Sequence, residues 1–145
     1  MKQSTLLALL PFLTMSLITF LIFSCKKYPD GPNFSWTSAT ERVANNWKVG
    51  KALDGNTDVT SDFEKYEITF TKNYAATLSA KYKAFGITYQ YVTEGTWSFG
   101  DNEKKLIVNY NDDNADKTYI ILKLAEDEMW LKEEGTNLEL HLIPR

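Results

Sequence analysis

The sequence is poor in the residues that most catalytic and metal chemistry needs. It holds one histidine and one cysteine in 145 residues, and no surplus of positive charge. A single histidine, His141, gives no cluster for zinc and no Ser-His-Asp arrangement. It alternates with Leu140 and Leu142 and so is expected to face outward. A single cysteine, Cys25, excludes an internal disulfide. The seven glycines form no phosphate-binding loop. Sixteen lysines and arginines stand against nineteen aspartates and glutamates, whereas binding nucleic acid calls for a basic face. Asp112-Asp113-Asn114-Ala115-Asp116 and Asp54-Gly55-Asn56-Thr57-Asp58 have the alternating acidic and amide groups that begin a calcium loop. Neither has the glycine and the glutamate that such a loop needs further on, so both read as hairpin loops. Glu126, Asp127, Glu128, Glu133 and Glu134 read as solvated turns. The expectation is a protein that is not an enzyme and has no metal or cofactor.

One long apolar run is present, from Leu6 to Phe23, after a start that carries Lys2. A basic start, an apolar core and a small residue before a boundary make a secretory signal peptide. The run could also span a bilayer as an uncleaved helix, but Pro11 would disturb one. It ends in Ile22-Phe23-Ser24-Cys25, with an aliphatic residue, a small residue and then cysteine. This stretch resembles the lipobox of bacterial lipoproteins. The resemblance implies that residues 1–24 are a lipoprotein signal peptide and that Cys25 becomes the acylated N-terminus. It also implies a membrane attachment through the lipid, which two or more acyl chains make stable. That would account for the lone cysteine and leave no thiol in the mature domain. Lys26 follows Cys25, with no aspartate there and no acidic run behind it. By the same resemblance this points to the outer membrane and its periplasmic face.

Residues 25–37 read as a tether, because Pro29, Asp30, Gly31, Pro32 and Asn33 break regular structure. Lys26 and Lys27 either meet anionic headgroups or are solvated. Phe34 and Trp36 are unexpected in a tether; they dock either on the domain or at a bilayer surface. Residues 38–145 form the single domain. Ser38 to Glu41 match a capping box and predict a short helix to about Ala44, ended by Asn45 and Asn46. From Trp47 the period becomes two. Tyr66 to Thr71, Leu78 to Tyr82 and Leu138 to Leu142 alternate apolar and polar residues, with turn signals between the runs. Gly95 interrupts the run from Ile87 to Phe99 and marks a bend or a bulge. The fold class is therefore all-β, an antiparallel up-and-down meander of about eight strands behind a short N-terminal helix.

The helix, then Asn45-Asn46-Trp47-Lys48-Val49, then Gly95-Thr96-Trp97 midway along the meander, resemble the lipocalin-like domains of bacterial lipoproteins. Trp47 matches the tryptophan of the lipocalin opening. Arg145 is the nearest candidate for the arginine that commonly packs on it. The resemblance implies a lipocalin-like barrel with an apolar interior.

In a meander, alternate loops share an end. The loops near 54–63, 83–86, 111–116 and 134–137 then lie together at an open end, and the helix lies with the tighter turns at a plugged end. Trp47, Trp97 and Trp130 fall toward the plugged end and are expected to form a barrel floor. Tyr66, Tyr82, Tyr89, Tyr91 and Tyr110 fall toward the open end. An apolar ring with a polar tip suits a pocket mouth, which makes these tyrosines the candidate ligand-binding residues. Tyr119 joins them unless Ile120, Leu122 and Leu124 hold the inward face of its strand. Two functions fit. One is a barrel that binds a small hydrophobic or amphipathic molecule at this mouth. The other is a filled barrel whose loops meet another envelope protein, as in the inhibitor lipoproteins. In both, the tether joins the plugged end, so the open end should point away from the membrane.

Overall fold

The computed structural model describes residues 26–145, and at 82–84 the backbone alone. Cys25 and the apolar run before it lie outside the described residues. The capping box forms with both halves. The Ser38 hydroxyl accepts from the Glu41 N–H at 3.2 Å, and the Glu41 carboxylate accepts from the Ser38 N–H at 3.1 Å. Together they start helix α1 (Ala39–Val43). Its end differs from the sequence expectation. Neither Asn45 nor Asn46 takes a left-handed conformation; Ala44 is the C-cap, with φ −71° and ψ 90°. The reason is the short connection. The Asn45 carbonyl already accepts from the Phe70 N–H, and Asn46 already belongs to the first strand.

Nine strands follow: β1 (Asn46–Asp54), β2 (Thr57–Asp58), β3 (Tyr66–Phe70), β4 (Ala75–Ala84), β5 (Ile87–Gly100), β6 (Lys105–Tyr110), β7 (Lys117–Leu124), β8 (Met129–Glu133) and β9 (Leu138–Pro144). Every pairing is antiparallel. β1 pairs β3, each later strand pairs the next, and β9 returns to β1. Eight strands thus close into a barrel, which abolishes the open sheet edge. The two-residue β2 adds only a short hairpin to the end of β1.

Alternation decides what is inside. Ile68 and Phe70 of β3, Leu106 and Val108 of β6, Leu131 of β8 and Leu140 and Leu142 of β9 are all buried. Their sequence neighbours, such as Glu67, Thr69, Lys132 and His141, face out and are partly exposed. Two register shifts break the alternation, in β1 between Val49 and Lys51 and in β7 between Ile121 and Lys123. Gly95 carries no shift, since β5 pairs β4 continuously from Ile87 to Thr96. It marks a close approach instead. A Cβ there would lie 2.0 Å from the Asn109 carbonyl oxygen and 2.6 Å from the Tyr110 Cα.

The two ends differ. α1, the turns at 71–74, 101–104 and 125–128, and residues 26–37 gather at one. The Trp47 indole donates to the Val43 carbonyl at 2.8 Å, which fixes α1 beneath β1. At the other end the Gly55 N–H donates to the Asn137 carbonyl at 3.1 Å, joining the loops after β1 and β8. β4 and β5 pair out to Ala84 and Ile87, whereas β3 reaches only as far as Ala80 on β4 and β6 begins pairing at Gly95. The tip of this hairpin therefore projects past the barrel wall.

Candidate functional site: floor, wall and mouth of the barrel

Trp47 and Trp97 form the floor. Trp47 has no exposed surface and Trp97 has 2%. The Trp97 indole donates to the Thr71 carbonyl at 3.0 Å, and its ring meets Phe70 and Phe99 edge-on, with centroids 5.8 and 5.3 Å away. A buried indole N–H needs such a partner, and a backbone carbonyl supplies one in both cases. Ile68, Leu106, Leu131 and Leu142 lie in the same buried cluster, so side chains occupy the lower and middle barrel.

Trp130 is not part of the floor. Met129 and Leu131 take the inward positions of β8, which turns Trp130 onto the outer wall. There it stacks flat on His141, with centroids 4.0 Å apart and planes 3° apart. Lys123 lies over the Trp130 ring at 4.6 Å, and Glu128 accepts both the indole N–H and the lysine. Those two bonds hold the Glu128 carboxyl below its usual range, the lysine first. Glu139 contacts the His141 ring nitrogen at 2.6 Å. Glu128 is thus a wall residue rather than a solvated turn. Arg145 also sits outside; it pairs with Glu67 at 3.1 Å.

At the mouth, β3, β5, β6 and β7 bring Tyr66, Tyr91, Tyr110 and Tyr119 together. Tyr110 and Tyr119 are buried, and Tyr66 shares a hydrogen bond with Tyr119. The shift in β7 resolves the competition for its inward face. Tyr119 and Ile121 point in; beyond the shift Leu124 points in, while Ile120 is exposed and Leu122 half-buried. Burial raises the Tyr66, Tyr110 and Tyr119 phenols above their ordinary range. Tyr91 donates to Asp112 at 2.6 Å, which holds the phenol up and the carboxyl down.

Lys117, which the sequence does not single out, and Glu133, read there as a solvated turn, also belong to the mouth. They share the inward parity of Tyr119 and Leu131 and pair with each other at 2.8 Å beside the tyrosines. Glu133 was expected in a solvated turn, yet only 16% of its side chain is exposed. Its signal was the alternation Met129-Leu131-Glu133, masked by the run of acids around it. The Asp112 to Asp116 loop uses its own acceptors. Asp112 takes the Asn114 backbone N–H at 3.1 Å and its side-chain amide at 3.0 Å, and Asp116 takes the Tyr110 N–H at 2.6 Å.

Between Tyr66, Leu78, Ala80, Tyr91, Asp112 and Asn114 the mouth opens as a shallow pocket of about 350 Å³. Its walls are apolar below and polar at the rim. Tyr89 is not one of its walls. It lies exposed on the projecting hairpin, opposite Tyr82 in register. The Tyr82 side chain lies outside the described residues. Of the five candidate tyrosines, then, the structure groups Tyr66, Tyr91 and Tyr110, and it adds Tyr119.

No curated protein matches the chain. Residues 33–131 match the family model of the lipocalin-like domain, from the end of the tether to Leu131 of β8. With the closed eight-stranded meander, the capped helix and the Trp47 floor beneath it, the chain belongs to the lipocalin-like domain family.

Proposed function

We propose that the protein is a lipid-anchored envelope protein whose barrel binds a small amphipathic molecule at the tyrosine mouth. One observation carries this reading: the half-open pocket at Tyr66, Leu78, Ala80 and Tyr91, rimmed by Asp112 and Asn114, above a core already occupied by side chains. Such a pocket suits a ligand that lies in the rim rather than one swallowed whole. Its apolar part would rest on Leu78, Ala80 and the ring of Tyr66. Its polar part would meet the Tyr91–Asp112 pair. The phenols are neutral, and the Asp112 carboxyl, held low by the bond from Tyr91, stays charged through modest acidification. The sequence supports the envelope address through the apolar run and Cys25. The lipid, the outer membrane and the periplasmic face belong to this proposal.

Two measurements test it. Incorporation of a fatty-acid label by the full chain, lost in Cys25→Ser, is expected of the anchor; equal labelling of both would contradict it. Calorimetric titration with single-chain amphiphiles should show saturable binding that Ala80→Arg, at a half-buried position of the same pocket, weakens at least tenfold without unfolding the barrel. No binding across fatty acids, lysophospholipids and acyl sugars would reject the mouth as a ligand site.

The occupied core also favours a second reading, a filled barrel that binds another envelope protein. Phe85 and Ile87 project from the β4–β5 hairpin with large exposed surfaces. Crosslinking from that tip in intact cells would then recover one reproducible protein, and Phe85→Ser would abolish the crosslink.

A further inference from the structure

The tether is fixed to the domain, and two aromatic side chains on it face solvent. Tyr28 is buried, and the Asp30 N–H donates to the Leu122 carbonyl at 2.9 Å, beside the stretch of β7 that runs on past the first residue of β6. Ser35 and Thr37 join their hydroxyls at 2.9 Å, and Thr37 donates to Glu126 at 3.1 Å. Residues 28–37 are therefore held along the plugged end of the barrel. Phe34 and Trp36 lie within this pinned segment with 65% and 93% of their surface exposed. Their rings meet edge-to-face, with centroids 4.8 Å apart and planes at 89°. The pair leans on itself rather than on the core, so the segment presents it outward. A large exposed aromatic patch marks a contact surface.

The occupant follows from what lies next to the patch. The chain outside the structure ends at Cys25, one residue before Lys26, and Lys26 lies at the side of Lys104 and Ile120 near the same end. We propose that Phe34 and Trp36 seat in the headgroup zone of the phospholipid bilayer that holds the Cys25 anchor; this rests on the lipid-anchored reading above. An indole is suited to that depth, because its ring is apolar and its N–H remains satisfied. Glu126 and Asp127 flank the patch, and Lys27 is already paired with Glu103. The charge next to the pair is acidic, so charge does not drive the contact of these two rings. Apolar insertion does, and a zwitterionic lipid suffices. The consequence is a rigid standing geometry. The anchor supplies one attachment point and the aromatic pair a second, and together they put the floor on the membrane and the tyrosine mouth away from it.

The test uses the full chain, produced in a bacterial host and reconstituted in phosphatidylcholine vesicles that carry bromine on the acyl chains. Mass spectrometry of the same preparation reads acylation at Cys25. The expected result is an acylated chain whose tryptophan emission is quenched by the brominated lipid, with the quenching lost in Trp36→Ser and the far-ultraviolet dichroism unchanged. Trp47 and Trp97 are buried in the barrel and Trp130 lies on its wall, so the difference between the two proteins reports Trp36. An acylated, vesicle-bound chain whose Trp36 is quenched by aqueous iodide and not by the lipid overturns the inference and leaves the anchor standing. Shielding of Trp36 from both quenchers means that protein covers the pair, and this also overturns it. A mass without acyl groups rejects the anchor and this inference together.

Discussion

The two tryptophans of the barrel floor and the one on the wall show how much a single position in a strand decides. Trp47 is enclosed by α1 and the barrel, so truncation leaves a cavity that the closed sheet cannot collapse. Trp47→Ala should cost about 3–5 kcal/mol. Trp130→Ala removes a stacked ring and a lysine contact that water partly reaches, and should cost about 1–2 kcal/mol. Urea unfolding of the two variants checks the difference, and equal losses would put Trp130 back in the core. The sequence alone favoured a common floor for all three, because large aromatics dominate cores. Met129-Trp130-Leu131 offers an apolar residue at either parity, and nothing local says which side is inward. His141, the ring that Trp130 stacks on, lies eleven positions away on β9. Glu133 was hidden in a similar way: its inward parity with Leu131 was readable, but a run of acids looks like solvent.

At the scale of the element, most strands were readable because the period of two is clean wherever one face is buried. Tyr66-Glu67-Ile68-Thr69-Phe70 has the expected alternation, and the strand runs over those five residues. The capping box was readable for a comparable reason, since both its bonds are local. The shift in β7 was not. It moves the inward face from Ile121 to Leu124 and shows only in the pairing with β8, which no local pattern reports. The closing pair β9–β1 joins the last strand of the domain to the first, so only the assumption of a closed meander could supply it. β5 makes a sharper prediction. At Gly95 the backbone of β6 comes so close that a methyl group cannot fit without moving the ladder. Gly95→Ala should destabilise by about 3 kcal/mol or more. Gly100→Ala should be tolerated far better, since its new methyl would be crowded by the flexible end of Ile107, at 3.0 Å, and meet Lys105 at an ordinary 3.6 Å. Thermal melts of both variants read this directly, and similar melts would mean that β5 and β6 do not approach closely at Gly95.

For the whole molecule, the burial of tyrosines ties stability to alkaline pH. Burial raises the Tyr28 phenol to about 12 and lifts Tyr66, Tyr110 and Tyr119 above the ordinary value near 10. In the unfolded chain all four ionise at that ordinary value. Below it both states keep their protons, and the stability from burying neutral phenols is fully present. As pH rises through and above about 10, the unfolded state loses protons that the folded state keeps. Stability should then fall steadily. Denaturant midpoints measured from neutrality to alkaline pH should be flat with respect to these groups and then decline, with phenolate absorbance lagging that of free tyrosine. A phenolate titration at the free value, with no loss of stability, would mean that the mouth tyrosines are solvated.

In the proposed function the barrel is closed to ligands at its floor and receives one only at its mouth. The most direct measurement is a set of backbone amide NMR spectra of the ¹⁵N-labelled protein, recorded while a single-chain amphiphile is titrated below its aggregation threshold. Saturable shifts are expected at the start of β3, Leu78 to Ala80, Tyr91 and the 110–119 segment alone, with Trp47, Trp97 and α1 unmoved. Shifts centred on the floor tryptophans, or none at the mouth at saturating amphiphile, would contradict it.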